Sequence, residues 1–253
     1  MSRVRLIIEY DGTNYVGWQT QPNGIAVQEK LEDAILKITG MCSTVHGSGR
    51  TDSGVHARAQ VAHFDTDVRM DAQKFALALN TRLPKDIRVL YSQNAPADFH
   101  ARFSAKQKQY RYTVQTGEHA RVSTRNTALH LHGTVNFDKL VAAADYYTGT
   151  HDFVAFMASG SKIDDTVRTI YESRWTRQGN YWLYDVCGNG FLYNMVRIMV
   201  GTMIDIGRGY LPDSAIANAL NDRERSLAGA TAPAHGLCLW RVIYSDFDTE
   251  SFV

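Results

Sequence analysis

Short segments with the period of β-strands alternate along this chain with amphipathic segments that have the period of α-helices. The clearest helix is predicted for residues 27–38, where apolar side chains recur every three or four positions and Gly40 follows at the place of a C-terminal cap. The other predicted elements of the first half are four strands and one helix, at residues 4–10, 41–46, 59–64, 87–92 and 72–83, respectively. This order predicts a βαββαβ unit.

The second half repeats the alternation. Asn136 is a candidate N-cap for a helix that carries Phe137, Leu140, Val141 and Ala144 on one face. Further strands are predicted at residues 109–115, 167–177, 181–187 and 237–244, and helices at 191–206 and 213–220. We therefore expect an α+β fold of two RRM-like or ferredoxin-like domains, residues 1–105 and 106–253, with antiparallel sheets flanking a central cleft that is the expected place of the functional site.

Composition excludes several classes of protein. With 253 residues the chain can bury a hydrophobic core without disulfide bonds. Its three cysteines, Cys42, Cys187 and Cys238, are too widely spaced for any two of them to form half of a zinc site. The longest apolar segment, residues 188–206, is interrupted by Arg197 and Asp205, so no membrane span is expected. We expect a soluble cytoplasmic protein. The net charge of +1 does not decide whether a local basic face exists.

A glycine-framed loop at residues 47–56 presents Arg50 and Asp52 between two predicted strands. Glycines allow a backbone to approach a ligand closely, so the loop is a candidate site. The triplet Asp52-Ser53-Gly54 is equally typical of an ordinary turn. The loop lacks the lysine and glycine spacing of a phosphate-binding loop.

A basic and aromatic segment follows at residues 102–112. Arg102, Lys106, Lys108 and Arg111 lie there without any acid. In a strand, Lys106, Lys108, Tyr110 and Tyr112 would share one face, which suits phosphates and stacked bases of single-stranded nucleic acid. A solvated sheet face carrying tyrosines for their strand propensity is an equally good interpretation.

Arg197 lies in the middle of a segment that is apolar almost all round. A buried guanidinium without a compensating group is costly, so this residue needs a partner. A structural ion pair or a cap for backbone carbonyls would satisfy it, and so would a catalytic carboxylate, for which Asp52 is the candidate.

Metal and hydrolase motifs are weak. His130 and His132 would share a strand face, but no carboxylate or cysteine nearby completes a metal site. Asp164 and Asp165 are typical of a solvated loop, and no serine lies in a nucleophile elbow.

Eight blocks of the sequence, in order, resemble those of the TruA-type tRNA pseudouridine synthases. They are EYDGT at 9–13, GWQ at 17–19, VQ at 27–28, GRTDSGVH at 49–56, DFHARFSA at 98–105, YRY at 110–112, FLYNMVR at 191–197 and APAHGL at 232–237. Ala230 departs from the pattern, since many members carry proline there. The resemblance covers most of the chain.

The resemblance implies a homodimer that isomerises uridines 38, 39 and 40 in the anticodon stem-loop of tRNA, without cofactor or metal. It implies that Asp52 is the essential carboxylate and is ion-paired with Arg197, and that Tyr110 stacks on the flipped uracil. Arg50 would contact phosphate or fill the place of the extruded base. The remaining residues expected to bind RNA are Arg102, Lys108 and Arg111.

Two other functions remain open on the sequence alone. A non-catalytic RNA-binding protein would use the same basic and aromatic strand but would not need Asp52. A nucleoside or glycoside hydrolase would also place a carboxylate near a sugar, although it usually needs a second acid to protonate the leaving group.

Overall fold

The computed structural model describes residues 2–160 and 163–253. Contacts divide the chain into two compact units, the first formed by Met1–Lys108 with Cys238–Val253 and the second by Gln109–Leu237. The strands of the described residues are β1 (Ser2–Tyr10), β2 (His46–Gly47), β3 (His56–Thr66), β4 (Ile87–Ala95), β5 (Gln107–Gln115), β6 (Leu129–His130), β7 (Gly149–Asp152), β8 (Val167–Gln178), β9 (Tyr181–Gly188) and β10 (Leu237–Ile243). The helices are α1 (Val27–Thr39), α2 (Lys74–Asn80), α3 (Phe137–Asp145), α4 (Met195–Gly207) and α5 (Ala215–Asp222).

The first unit has the predicted βαββαβ order, β1-α1-β2-β3-α2-β4. Its sheet has the order β4–β1–β3, and β1 pairs antiparallel with both neighbours. On the other edge of β3, β2 pairs antiparallel and β10 pairs parallel, with Cys238 opposite His56. The second unit has the sheet order β5–β9–β8–β7, with β6 in a short parallel pair with β5. The α+β fold class is confirmed.

The pairing of β10 with β3 gives the units different bounds from the predicted ranges 1–105 and 106–253. Residues 238–253 cluster with the first unit, although they follow the second in sequence. The sequence predicts the strand at residues 237–244, but no local pattern specifies which sheet this strand joins.

Helix α1 forms as predicted because its apolar stripe and its cap agree. Val27, Leu31, Ala34 and Ile35 are buried, and Gly40 adopts a φ of 72° while its N–H donates to the Leu36 carbonyl. Of the strand predicted at residues 41–46, only the last residue, His46, lies in a strand. Just before it, the backbone N–H of Val45 donates to the Glu32 carboxylate at 3.0 Å, so a side chain takes the place of a neighbouring strand.

In the second unit, the cap predicted for α3 is confirmed. The Asn136 side chain accepts hydrogen bonds from the backbone N–H groups of Asp138 and Lys139. Val141 is exposed rather than buried, and Ala143 takes its place in the core. The strands β6 and β7 were not predicted, because two and four residues are too few to show a period of two.

Helix α4 begins at Met195, four residues later than predicted, because Asn194 before it adopts a left-handed φ of 59°. Eleven of its thirteen residues are buried, which makes it the core helix of the second unit. No helix in the described ranges is long and apolar enough to cross a membrane.

Candidate functional site

The loop that carries Asp52 joins β2 to β3 in the first unit. β2 ends at Gly47, and the next N–H, that of Ser48, donates to the Val61 carbonyl at 2.7 Å. The N–H of Val55 donates to the Asp52 carbonyl at 3.1 Å, and Gly54 between them has a φ of 77°. The turn expected from Asp52-Ser53-Gly54 is therefore present, with Asp52 half-buried at its first position.

The end of β1 and the segment after it hold this loop through backbone and hydroxyl groups. The Thr51 carbonyl accepts from the N–H of Trp18 at 3.1 Å, and the Thr51 hydroxyl shares a hydrogen bond of 2.8 Å with the Tyr10 hydroxyl. The Tyr15 carbonyl accepts from the N–H of Gly54 and from the hydroxyl of Ser53, both at 3.3 Å. The residues on both sides of Asp52 are thus fixed by residues more than thirty positions away in the sequence.

Two glycines in the segment after β1 make this close approach possible. A Cβ on Gly17, whose φ is 112°, would overlap the Thr51 carbonyl, and a Cβ on Gly12 would overlap the Val55 carbonyl. The N–H of Gly12 also donates to Nδ1 of His56 at 3.0 Å. The blocks at residues 9–13, 17–19 and 49–56, which resemble one family in sequence, therefore form one structure.

A buried glutamine also supports the loop. Gln60 on β3 is fully buried; its amide donates to the Gly49 carbonyl at 3.0 Å and its oxygen accepts from the Ser48 hydroxyl at 2.5 Å. Neither the sequence patterns nor the matched blocks singled out this residue. A polar residue between apolar neighbours, Ala59 and Val61, in a predicted strand is the signal that would have found it.

Two of the predicted RNA-binding residues lie at this loop. Arg50 is exposed beside Asp52. The Lys108 ammonium lies 3.5 Å from the position that a Cβ would take on Gly49. Two cations thus lie at the loop that contains Asp52, an arrangement suited to a substrate with phosphate groups.

Arg102 lies in a second exposed loop of the same unit, next to an aromatic side chain. Its guanidinium carbon is 5.6 Å from the ring centroid of Phe103, which is 75% exposed. The His100 ring packs on Phe103 at 4.4 Å, and behind it lies the buried ring of His63 at 4.7 Å from His100. Burial lowers the pKa of His63 to about 4, and burial also lowers the pKa of His100.

Strand β5 places its tyrosines inside the protein. Tyr112 is fully buried and donates its hydroxyl to the Pro233 carbonyl at 2.8 Å, while Tyr110 is 8% exposed and meets Phe191 edge-on at 5.2 Å. The predicted alternation is confirmed. The alternative of a solvated face is wrong for the tyrosines, and the fully buried ring of Tyr112 is not open for stacking on bases either.

Arg111, on the other face of β5, forms an ion pair within the protein, and its role in RNA binding stays a prediction. Its Nε and Nη2 donate to the two carboxylate oxygens of Asp185 on β9, at 2.8 and 2.9 Å. Asp185 is almost fully buried, so this bidentate pair joins the two strands. The sequence did not show this contact, because the partners are 74 positions apart.

Arg197, in the first turn of α4, is half-buried and contacts neutral oxygens. Its Nε donates to the Ala232 carbonyl at 2.7 Å, and its Nη1 donates to Oδ1 of Asn194 at 2.8 Å. The role as a cap for carbonyls is therefore present. The ion pair with Asp52 stays a prediction.

Metal-binding clusters are not found in the described chain. Nδ1 of His130 lies 3.2 Å from Nε2 of His132, but no group of three His, Cys, Asp or Glu side chains there could hold a metal ion. Among the cysteines, Cys187 is buried and Cys42 is exposed.

Comparison with known proteins gives one consistent result. The model of the family described as tRNA pseudouridine synthase matches residues 6–104 and 143–245. A protein of Ruminiclostridium cellulolyticum named tRNA pseudouridine synthase A is 46% identical over 96% of this chain and all of its own length. One of Halalkalibacterium halodurans with the same name is 46% identical over 94% of this chain and 90% of its own.

Similarity to solved structures is much lower. The alignment with a chain of an archaeal box H/ACA sRNP Nop10–Cbf5 complex covers 79% of this chain and 44% of that chain. Its sequence identity is 14% and its TM-score is 0.37. The family assignment therefore depends on the sequence matches, which extend over both units and include the Asp52 loop. By these matches the chain belongs to the tRNA pseudouridine synthase family.

Proposed function

We propose that this protein isomerises uridine to pseudouridine at positions 38, 39 and 40 in the anticodon stem-loop of tRNA, without cofactor or metal. The observation that carries the proposal is the Asp52 loop. Its backbone is fixed by Trp18, Tyr15 and Gln60, while Asp52 itself is half-buried. Such a preorganised carboxylate suits chemistry at a sugar.

The reaction breaks the bond between C1′ and N1, turns the uracil, and joins its C5 to C1′. The proton on C5 is lost and N1 gains one, so no atom is lost overall and no electron is transferred to an acceptor. Asp52 acts either as nucleophile at C1′, as base at C2′, or by attack at C6 of the uracil. Each role requires the carboxylate in its ionised form.

Arg197 is proposed to keep Asp52 ionised by forming an ion pair with it. Its contacts with Ala232 and Asn194 are to neutral oxygens, which orient the guanidinium without cancelling its charge. A nearby positive charge favours the carboxylate, whereas desolvation by bound RNA opposes it. Arg197 is thus assigned an electrostatic role.

Tyr110 is proposed to stack on the flipped uracil and to assist removal of the proton from C5. The edge-on contact with Phe191 restricts the rotation of its ring, which reduces the entropy lost on stacking. Extruding a base costs a few kcal/mol, which stacking and phosphate contacts must offset.

Arg50, Arg102 and Lys108 are proposed to bind the RNA backbone, since Arg50 and Arg102 are exposed and Lys108 lies at the Asp52 loop. Arg111 reaches RNA only through the exposed quarter of its side chain, and its main contribution is to hold β5 on β9. We also expect a homodimer acting in the cytoplasm, where its tRNA substrate is found. Light scattering of the purified protein would measure the oligomeric state.

The experiment is to incubate the purified protein with unmodified tRNA transcripts and map pseudouridine by carbodiimide primer extension and mass spectrometry. Product at positions 38 to 40 supports the proposal. Release of uracil would instead show a hydrolase. Tight binding with no product would show an RNA-binding protein without chemistry.

A further inference from the structure

A groove of about 400 Å³ lies in the first unit between helix α1 and the turn that follows α2. Helix α1 contributes Lys30, Asp33 and Lys37 to its lining, and the turn contributes Arg82. Tyr15 and Ile25 complete the part of the lining that matters here. None of these residues was singled out by the sequence patterns as a site.

The groove has an excess of positive charge. Lys30, Asp33 and Lys37 lie three and four positions apart, so they share one face of α1. Lys37 and Arg82 are exposed, and neither forms an ion pair within residues 2–160 and 163–253. Asp33 is the one acid that lines the groove.

Neighbouring acids already have other partners. The Asp86 carboxylate accepts the Tyr15 hydroxyl at 2.6 Å, and the Glu32 carboxylate accepts the N–H of Val45 at 3.0 Å. Glu29 lies 4.0 Å from the Lys30 ammonium, so the cations of the groove without an acidic partner among the described residues are Lys37 and Arg82. The groove therefore presents cations to a polyanion.

The walls are partly apolar. Ile25, which is 49% exposed, lines the groove together with Leu83 and Pro84. Cations next to apolar walls suit a sugar–phosphate chain, because phosphates meet the charged groups while sugars pack on the carbon surface.

The groove is joined to the Asp52 loop through one residue. Tyr15 is part of the groove lining, and its carbonyl accepts the hydrogen bonds from Ser53 and Gly54 in the loop. The groove and the Asp52 loop are thus connected by one residue within the first unit.

We propose that this groove binds the sugar–phosphate backbone of the RNA substrate, through Lys30, Lys37 and Arg82. The inference rests on the proposed function and extends it, because these residues are outside the set assigned to uridine chemistry. Their contribution is to affinity and not to the chemical step.

The test measures tRNA affinity by filter binding over a range of salt concentrations, together with kcat at saturating tRNA. Lys37→Glu and Arg82→Glu should each raise Kd about fivefold or more and reduce the salt slope by about one, with kcat unchanged. Lys74→Glu is the matched control: Lys74 is exposed, lies at the start of α2 outside the groove, and gives the same change in net charge. Asp33→Asn should lower Kd, since it removes the acid of the groove.

Equal Kd values for the groove variants and Lys74→Glu would overturn the inference, and so would unchanged binding by Asp33→Asn. The proposed function is judged separately. If the wild type makes pseudouridine while the groove variants bind like the control, only the groove assignment fails. If the wild type makes no pseudouridine but the groove variants lose affinity, the groove stands and the proposed activity fails.

Discussion

The Thr51 carbonyl accepts a hydrogen bond from the backbone N–H of Trp18 at 3.1 Å. This contact fixes the residue directly before Asp52, and it forms only because Gly17 has no side chain where the two segments meet. The position of the proposed catalytic carboxylate is therefore set by a segment that precedes it by more than thirty residues.

Replacing Gly17 by alanine should displace the Asp52 loop. The new Cβ would overlap the Thr51 carbonyl at a φ of 112°, where a side chain is already strained. We expect kcat to fall at least tenfold, with a smaller change in Kd for tRNA. The quantities to measure are single-turnover rates and filter binding.

Gly40→Ala is the control for this substitution. Gly40 also has a positive φ, of 72°, but nothing lies within 4 Å of a Cβ there. It should cost about 1 kcal/mol in the free energy of unfolding and leave kcat unchanged. Equal activity of the two variants would show that the contact with Thr51 does not position Asp52.

Stability should depend on pH through His63. Burial lowers its pKa to about 4 in the folded state, below the ordinary value of about 6.5. The unfolded chain therefore binds a proton first as the pH falls. The contribution of neutral His63 to stability is complete above about pH 6.5 and is lost between there and about pH 4.

His63→Asn provides the comparison, since its side-chain oxygen can still accept from the N–H of Ala101, which donates to Nδ1 of His63 at 3.1 Å. Urea unfolding from pH 7.5 to 4.5 should show a shallower decline of unfolding free energy in the variant. Parallel pH profiles would exclude His63 as the titrating group.

Arg197→Met should disable pseudouridine formation while the protein stays folded. The variant removes the proposed partner of Asp52 and the hydrogen bonds to Ala232 and Asn194. Arg197→Lys keeps the positive charge and should retain part of the activity. Comparing the two variants therefore separates the effect of the charge at position 197 from the effect of the guanidinium shape. Wild-type kcat in Arg197→Met would show that this residue has no part in the reaction.

Local features of the fold could be predicted from the sequence. The stripe and cap of α1 lie within fourteen residues, and Asn136 caps the helix that it precedes. The missing strand at residues 41–45 and the placement of β10 depend on distant partners, Glu32 and β3, which no local period reveals.

In the candidate site, too, some features follow from the local sequence and others depend on distant partners. Asp52 and its turn could be read from the sequence, whereas the residues that hold them could not. Gln60 is a polar residue in a buried strand, and the partner of Arg111 lies on another strand. Both depend on which strands become neighbours in the folded protein.

The most direct test of the central claim is tritium release from tRNA that carries uridine labelled at C5, by wild type and by Asp52→Asn. The substitution is nearly isosteric, and the backbone of the loop is held by hydrogen bonds of Thr51 and Gly54 that an asparagine at position 52 leaves in place. We predict that Asp52→Asn binds tRNA with a Kd within about twofold of wild type and releases no tritium, as expected when the reacting carboxylate alone is removed. Release by Asp52→Asn at a rate near that of the wild type would contradict the account.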